Sequence, residues 1–256
     1  MPFSNLVLNT SHDVATLTLN RPDSLNALST DLLNELIEAA AVISESRART
    51  VVVSGAGRAF CAGVDITMLS DTIETSDQKQ QYAAFRLGGD MATAIESIPQ
   101  VTVASLHGFV IGGGVVLAAA CDLRIAAEDT VFSIPEIDLG IPLAWGGIGR
   151  LVHEMGPALT KELLMTGRRF TAQQAMATGF LNEVVAPDRV RAAAEQLAST
   201  IASKANLPIR MTKAHVAEVL SGDMTRDDAA TAVTTLSDPD SMSAKEAYLA
   251  QLTARS

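Results

Sequence analysis

Three features of this chain have residue types and spacing suited to chemistry: a glycine triplet, a second loop of small residues, and a glutamate among apolar neighbours. "VIGGGVVLAAACD", Val110 to Asp122, sets Gly112, Gly113 and Gly114 at the mouth of an apolar, alanine-rich helix. Glycine costs roughly 1 kcal/mol relative to alanine inside a helix, so a triplet there points to a backbone that something approaches closely. A strand that runs into these glycines and then a helix aims free N–H groups and the positive end of a helix dipole at one spot, suited to an anion or a developing oxyanion. Close helix packing is the plainer explanation of the same triplet. "GRAFCAGVDITML", Gly57 to Leu69, places similar small residues after a β-branched run and offers a second bare amide. Glu136, in "FSIPEIDLGI", is flanked by Ile134, Pro135, Ile137 and Leu139. Partial burial among them would raise its pKa toward a range useful for moving protons; the plainer alternative is an exposed loop acid.

Other chemistries do not fit the spacing. Gly108, Gly112, Gly113 and Gly114 miss the dinucleotide fingerprint G-x-G-x-x-G, and no G-x-x-x-x-G-K-[ST] phosphate loop occurs. His12, His107, His153 and His215 are dispersed, without metal-ligand spacing or a nucleophile elbow nearby, so neither a metal nor a covalent triad is expected. Cys61 and Cys121 lie in small, apolar surroundings and read as reduced core thiols. A formal net charge of −10 disfavours nucleic acid and anionic membranes as partners. An anionic small molecule would need a local cation such as Arg21, Arg58 or Lys79, each more simply read as a solvated surface charge. No run is long enough to span a membrane, and Met1 to Thr10 lacks the pattern of an export signal, so a cytoplasmic protein is expected.

The elements that must position these residues follow from periodicity. With 48% hydrophobic residues, no repeat and 256 positions, the chain has enough apolar material for a sizeable core. "VATLTLNRP" alternates as a strand ending near Arg21, and Ser29 is placed to cap a helix whose Leu32, Leu33, Leu36, Ile37, Ala40 and Ile43 share one face. "TVVVSGAG" and "QVTVASLHG" read as buried strands, and "DLRIAAEDTVFS" as one or two short ones. Polar residues 70–81 predict a mobile surface loop before a helix ending near Pro99. From Gly146 onward the pattern is nearly all helical.

The two glycine-bearing stretches, together with "LNRPDSLNAL" and "FSIPEIDLGI", resemble the enoyl-CoA hydratase/isomerase, or crotonase, superfamily over nearly the whole chain. The resemblance implies an α/β fold, a spiral of ββα units with a C-terminal helical oligomerisation region. It divides the chain into an acyl-CoA-binding core, residues 1–198, and helices at 199–256 that join copies as a trimer or a dimer of trimers, with residues 208–220 and 243–252 as the interface. It further implies an oxyanion hole from the N–H groups of Val64 and Gly113, and a grip on coenzyme A by Ser24, Leu25, Ala27, Asp65 and Ile66. Pro135 and Trp145 join the substrate site, Glu136 is the catalytic acid/base, and coenzyme A enters with the substrate, so no separate cofactor is implied.

Departures from the family pattern sharpen the reaction. Family hydratases carry G-G-G-x-E, where a glutamate shares water with a second in the P-E motif; here Val116 stands at the first position and Glu136 at the second. One carboxylate beside an oxyanion hole suits a 1,3-proton shift, converting a 3-enoyl-CoA to a 2-enoyl-CoA in fatty acid metabolism. The alternatives are a hydratase or other enolate chemistry on CoA thioesters, and a non-catalytic acyl-CoA binder. Asp138 is a spare acid. Leu143 and Trp145 replace family glycines, so Trp145 either narrows the acyl pocket or packs beneath the C-terminal helices; Thr67 replaces a lysine that assists with CoA phosphates.

Overall fold

In a computed structural model that describes residues 3–253, the chain winds strands into two sheets and returns each turn through a helix. β1 (Leu6–Asn9) and β2 (Val14–Leu19) form an antiparallel pair. They lead into α1 (Thr30–Glu45), where Ser29 Oγ accepts from the Leu32 N–H at 3.3 Å and Leu32, Leu33, Leu36, Ala40 and Ile43 are buried as the spacing predicts. β3 (Thr50–Gly55), α2 (Ile66–Glu74) and α3 (Gln78–Glu96) follow. β4 (Val101–Leu106), β5 (Phe109–Ile111) and α4 (Gly113–Ala119) make the next turn, and β6 (Leu123–Ala127), β7 (Val131–Ser133) and α5 (Gly147–Met155) the one after. β2, β3, β4 and β6 are parallel neighbours in the larger sheet, which β1 begins; β5 and β7 pair in the smaller one. Single bridges Leu28–Val64 and Cys61–Val110 continue the smaller layer through the earlier turns. This is the implied spiral of ββα units.

Alternation along the central strands divides the core. Val51 and Val53 of β3 face the main cluster with α1 and α3, while Val52, with Val103 of β4 and Ile125 of β6, faces α8 (Val190–Ala202) through Val190, Ala194 and Ala198.

One expectation is corrected and another refined. Residues 70–81 are not a loop: only Thr75 to Asp77 lie outside α2 and α3. The Asp65 carboxylate accepts from the Thr67 N–H (3.0 Å) and Asp77 from that of Lys79 (2.9 Å), capping both helices, and most of the polar residues, buried Thr72 excepted, occupy their solvent faces. The region after Gly146 is nearly all helical as expected, but two short strands interrupt it. After α5 and α6 (Pro157–Thr166), β8 (Phe170–Thr171) pairs with β7. After α7 (Ala172–Ala177), β9 (Glu183–Val185) adds an outer strand to the larger sheet beside β6. Strands of two and three residues are too short to show alternation, and their partners define them.

α9 (Asn206–Leu220), α10 (Asp228–Thr235) and α11 (Pro239–Thr253) contain no buried residue. Polar ties dock them: Lys213 Nζ donates to Asp122 Oδ2 (2.6 Å) and to the Gln100 carbonyl (3.0 Å), and Arg49 pairs with Asp240. No described helix is long and apolar enough to cross a membrane. Cys61 and Cys121 are buried, and desolvation pushes both thiols up to about 12, leaving them protonated.

Candidate active site

Each glycine of the triplet meets a different neighbour, which explains why the helix tolerates all three. Gly112 has φ +49°, donates to the Ser133 carbonyl at 2.9 Å, and a Cβ there would collide with Glu136 Oε1. On Gly113 a Cβ would collide with the Trp145 ring; on Gly114 it would lie 2.6 Å from the Cys61 carbonyl oxygen. Close packing and an open amide are therefore both present. The N–H groups of Val115 and Val116 return to the Gly112 carbonyl, whereas those of Gly113 and Gly114 meet no acceptor among the described residues.

The second loop runs against the first. Cys61 donates to the Phe109 carbonyl (3.1 Å) and accepts from the Ile111 N–H (3.0 Å). Gly63, at φ +96°, sits where a Cβ would be 3.0 Å from the Ile111 oxygen and 3.8 Å from the Gly113 nitrogen. Leu28 donates to Gly63 and accepts from Asp65, so the Val64 N–H between them turns to the opposite side of the strand. It too meets no acceptor among the described residues. Val64 and Gly113 line one cleft with Glu136 and Trp145.

Glu136 lies in a 3₁₀ turn, Pro135–Leu139, that follows β7. Its Oε2 is buried without a hydrogen-bond partner, and burial raises the carboxyl pKa above the ordinary value of 4.5. Asp138 is exposed and faces away toward Gly167, whose Cβ would lie 3.1 Å from Asp138 Oδ2. Val116 is wholly buried beside Gly147 and Leu143, so the first family acid position is filled by packed hydrocarbon.

Met68, Leu69 and Thr72 of α2 and Ala84 and Phe85 of α3 complete the apolar wall, with Ile141 to Ala144; the cavity is narrow, about 40 Å3. Reading residues 70–81 as a loop hid the α2 wall, although Met68, Leu69 and Thr72 share one face at helical spacing. Trp145, at φ +60°, packs against Gly113 and against Gly88 of α3, rather than beneath the C-terminal helices.

Ser24, Leu25, Ala27, Asp65, Ile66 and Pro135 do not line the cleft. Leu25 and Asn26 follow the 3₁₀ turn Pro22–Ser24 with φ +50° and +57°. Asn26, which the motif reading passed over, is fully buried: it accepts from the Arg21 N–H (2.9 Å) and donates to the carbonyls of Ala56 (2.9 Å) and Ala59 (2.8 Å). Arg21 is not a solvated charge; it donates to the Ala27 carbonyl and pairs with Asp65 at 3.0 Å. Burial acts to raise the Asp65 pKa, but bonds from Arg21 and from the Thr67 N–H outweigh it and hold the carboxyl below 3.8. Ile66, beside it, is 80% exposed. The described residues contain no group of three or more His, Cys, Asp or Glu able to share a metal.

The same plan occurs in known proteins. A sequence model of the family described as enoyl-CoA hydratase/isomerase matches residues 9–251. A crotonyl-CoA hydratase of Syntrophomonas wolfei is 33% identical over 228 residues, covering 88% of this chain and 86% of its own. A peroxisomal Delta(3,5)-Delta(2,4)-dienoyl-CoA isomerase of Arabidopsis thaliana is 35% identical over 216 residues, 80% of this chain and 78% of its own. The crystal structure of an enoyl-CoA hydratase of Mycobacterium smegmatis superposes with a TM-score of 0.86 at 29% identity, over 97% of each chain. With sequence similarity running through almost every turn of the spiral and the fold matching along its length, the chain belongs to the enoyl-CoA hydratase/isomerase family.

Proposed function

We propose that the protein moves the double bond of a 3-enoyl-CoA into conjugation with its thioester, using Glu136 as the only acid/base. The observation that carries this reading is Val116: at the place of a second, water-holding acid stands a buried valine packed on Gly147 and Leu143. Glu136 as carboxylate takes a proton from C2, and the electron pair moves onto the thioester oxygen as a dienolate. The N–H groups of Val64 and Gly113 donate to that oxygen, each worth about 3 kcal/mol in comparable sites. The protonated Glu136 then returns the proton at C4, leaving the double bond between C2 and C3 and the carboxylate restored. Its lack of a hydrogen-bond partner at Oε2 and its raised pKa suit both halves of that transfer.

Coenzyme A is part of the substrate in this reading, gripped outside the cleft by the backbone at Ser24, Leu25 and Ala27 and around Asp65 and Ile66, with Pro135 flanking Glu136. Exposed apolar residues on α9 to α11, among them Val216, Leu220, Val233 and Leu249, suit contact with further copies in a trimer or a dimer of trimers.

Hydration of a 2-enoyl-CoA is the second reading, favoured by the hydratase named among the relatives. The rise of conjugated-thioester absorbance on mixing with 3-enoyl-CoA substrates decides between them, with Glu136→Gln alongside. A Glu136-dependent rise supports isomerisation; rapid water addition to 2-enoyl-CoA with no such rise would overturn it.

A further inference from the structure

Trp145 borders two spaces at once. On one side is the cleft that holds Glu136 and Gly113; on the other is an open groove of about 420 Å3 along α3, bordered by Tyr82, Arg86 and Gly89. The indole is wedged between bare backbones, because a Cβ on either Gly113 or Gly88 would overlap its ring atoms. Its own backbone is left-handed at φ +60°, an unfavourable conformation for a bulky residue that persists only where surroundings enforce it. Arg150 supplies that enforcement. Its Nη1 donates to the carbonyls of Trp145 (3.2 Å) and Gly146 (3.3 Å), and its Nη2 bonds Glu96 Oε2 at 2.6 Å. An aromatic ring braced in this way divides the two spaces as a fixed partition.

We propose that Trp145 sets the acyl-chain length this protein accepts: the indole closes the acyl pocket beside the reacting carbons, restricts it to short-chain acyl thioesters, and separates it from the groove that a longer chain would need. The inference rests on reading the cleft as an acyl-CoA site. Because the ring lies directly on Gly113, whose N–H is the assigned oxyanion donor, the wall stands at the reacting centre rather than at the far end of a long tunnel. Each methylene entering an apolar pocket tightens binding by about fourfold, so a partition makes that gain stop where the chain meets the ring.

Equilibrium binding of coenzyme A and of butyryl-, hexanoyl-, octanoyl-, decanoyl- and dodecanoyl-CoA, followed by calorimetry for wild type, Trp145→Phe and Trp145→Ala, tests this without any turnover. Wild type is expected to tighten from coenzyme A to the short thioesters and then weaken by roughly tenfold for the long ones, whereas Trp145→Ala keeps tightening through decanoyl-CoA. Trp145 is the only tryptophan, so its emission is expected to shift with butyryl-CoA and not with coenzyme A alone. Wild-type affinity that climbs steadily through dodecanoyl-CoA would overturn the proposal whether or not a variant folds. An unchanged chain-length profile in a folded Trp145→Ala would do the same, showing that the length limit lies elsewhere. Failure of every thioester to bind would instead remove the acyl-CoA reading itself, and the chain-length assignment with it.

Discussion

The Glu136 carboxylate occupies the space that a side chain at position 112 would need: a Cβ on Gly112 collides with Oε1 and lies 3.2 Å from Cδ. Gly112→Ala therefore displaces the carboxylate and also forces a non-glycine residue into φ +49°, ψ −115°. Turnover of 3-enoyl-CoA is expected to fall by at least about 100-fold, as for loss of an acid/base, and stability by about 1–3 kcal/mol. Steady-state kinetics and denaturant melts read the two effects separately; a variant with wild-type kcat would show that Glu136 does not work from this position.

Glu136 carries a pH signature of fixed sign. Burial raises its folded pKa above 4.5, so the folded state holds the proton more tightly than the unfolded chain. That contribution to stability is complete below the unfolded value and is lost as pH rises through the folded one. Glu136→Gln removes the cost of burying the charge; its Tm is expected to exceed wild type at neutral pH, with the gap closing in acid. In the proposed reaction activity has the opposite slope, because Glu136 as base must be ionised: kcat/KM of wild type is expected to fall on acidification through the raised pKa. A Glu136→Gln protein less stable than wild type at pH 7 would contradict the net cost of burying this carboxylate.

Val116→Glu does not restore a second working acid. The side chain would enter a site with no solvent exposure, against Leu143 and Gly147, at a cost of about 3 kcal/mol or more. Chemical denaturation checks the loss, and the variant is expected to show no new hydration of 2-enoyl-CoA. A stable variant that hydrates crotonyl-CoA rapidly would mean that the surrounding packing yields.

Asn26→Ala cuts three hydrogen bonds of a buried side chain, one within the turn after β2 and two to the loop after β3. The expected loss is about 3 kcal/mol, together with weaker coenzyme A binding through the loosened Ser24 to Ala27 backbone. Asn26→Asp keeps the acceptor for the Arg21 N–H but sets a buried carboxylate oxygen against the Ala56 and Ala59 carbonyls, and is expected to melt below alanine at neutral pH. Equal stability of all three would assign the left-handed turn to other contacts.

The residues of the site were legible from type and order because the constraints on them are local. A glycine triplet after a strand, an Ala-Gly pair before Val64, and a Pro-Glu pair after β7 survive as patterns of a few residues, as does the apolar face of α1 capped by Ser29. Elements defined by a partner were not legible: β8 and β9 are short strands that exist through pairing with β7 and β6. Nor were α2 and the first turn of α3, which lie in a polar stretch read as a loop; the rest of α3 matches the helix expected to end near Pro99.

By itself, the sequence determined which groups are available: two loops with bare amides, one glutamate with apolar neighbours, and valine in place of a second acid. Tertiary structure alone decided which meet. It set Glu136 against Gly112, faced Asp138 away toward Gly167, buried Asn26 in a polar knot, and wedged Trp145 between Gly88 and Gly113. The physical reason is range. Local propensity and spacing act over a few residues, whereas the desolvation of a carboxylate and the clamping of an indole depend on backbones brought together from separate turns of the spiral.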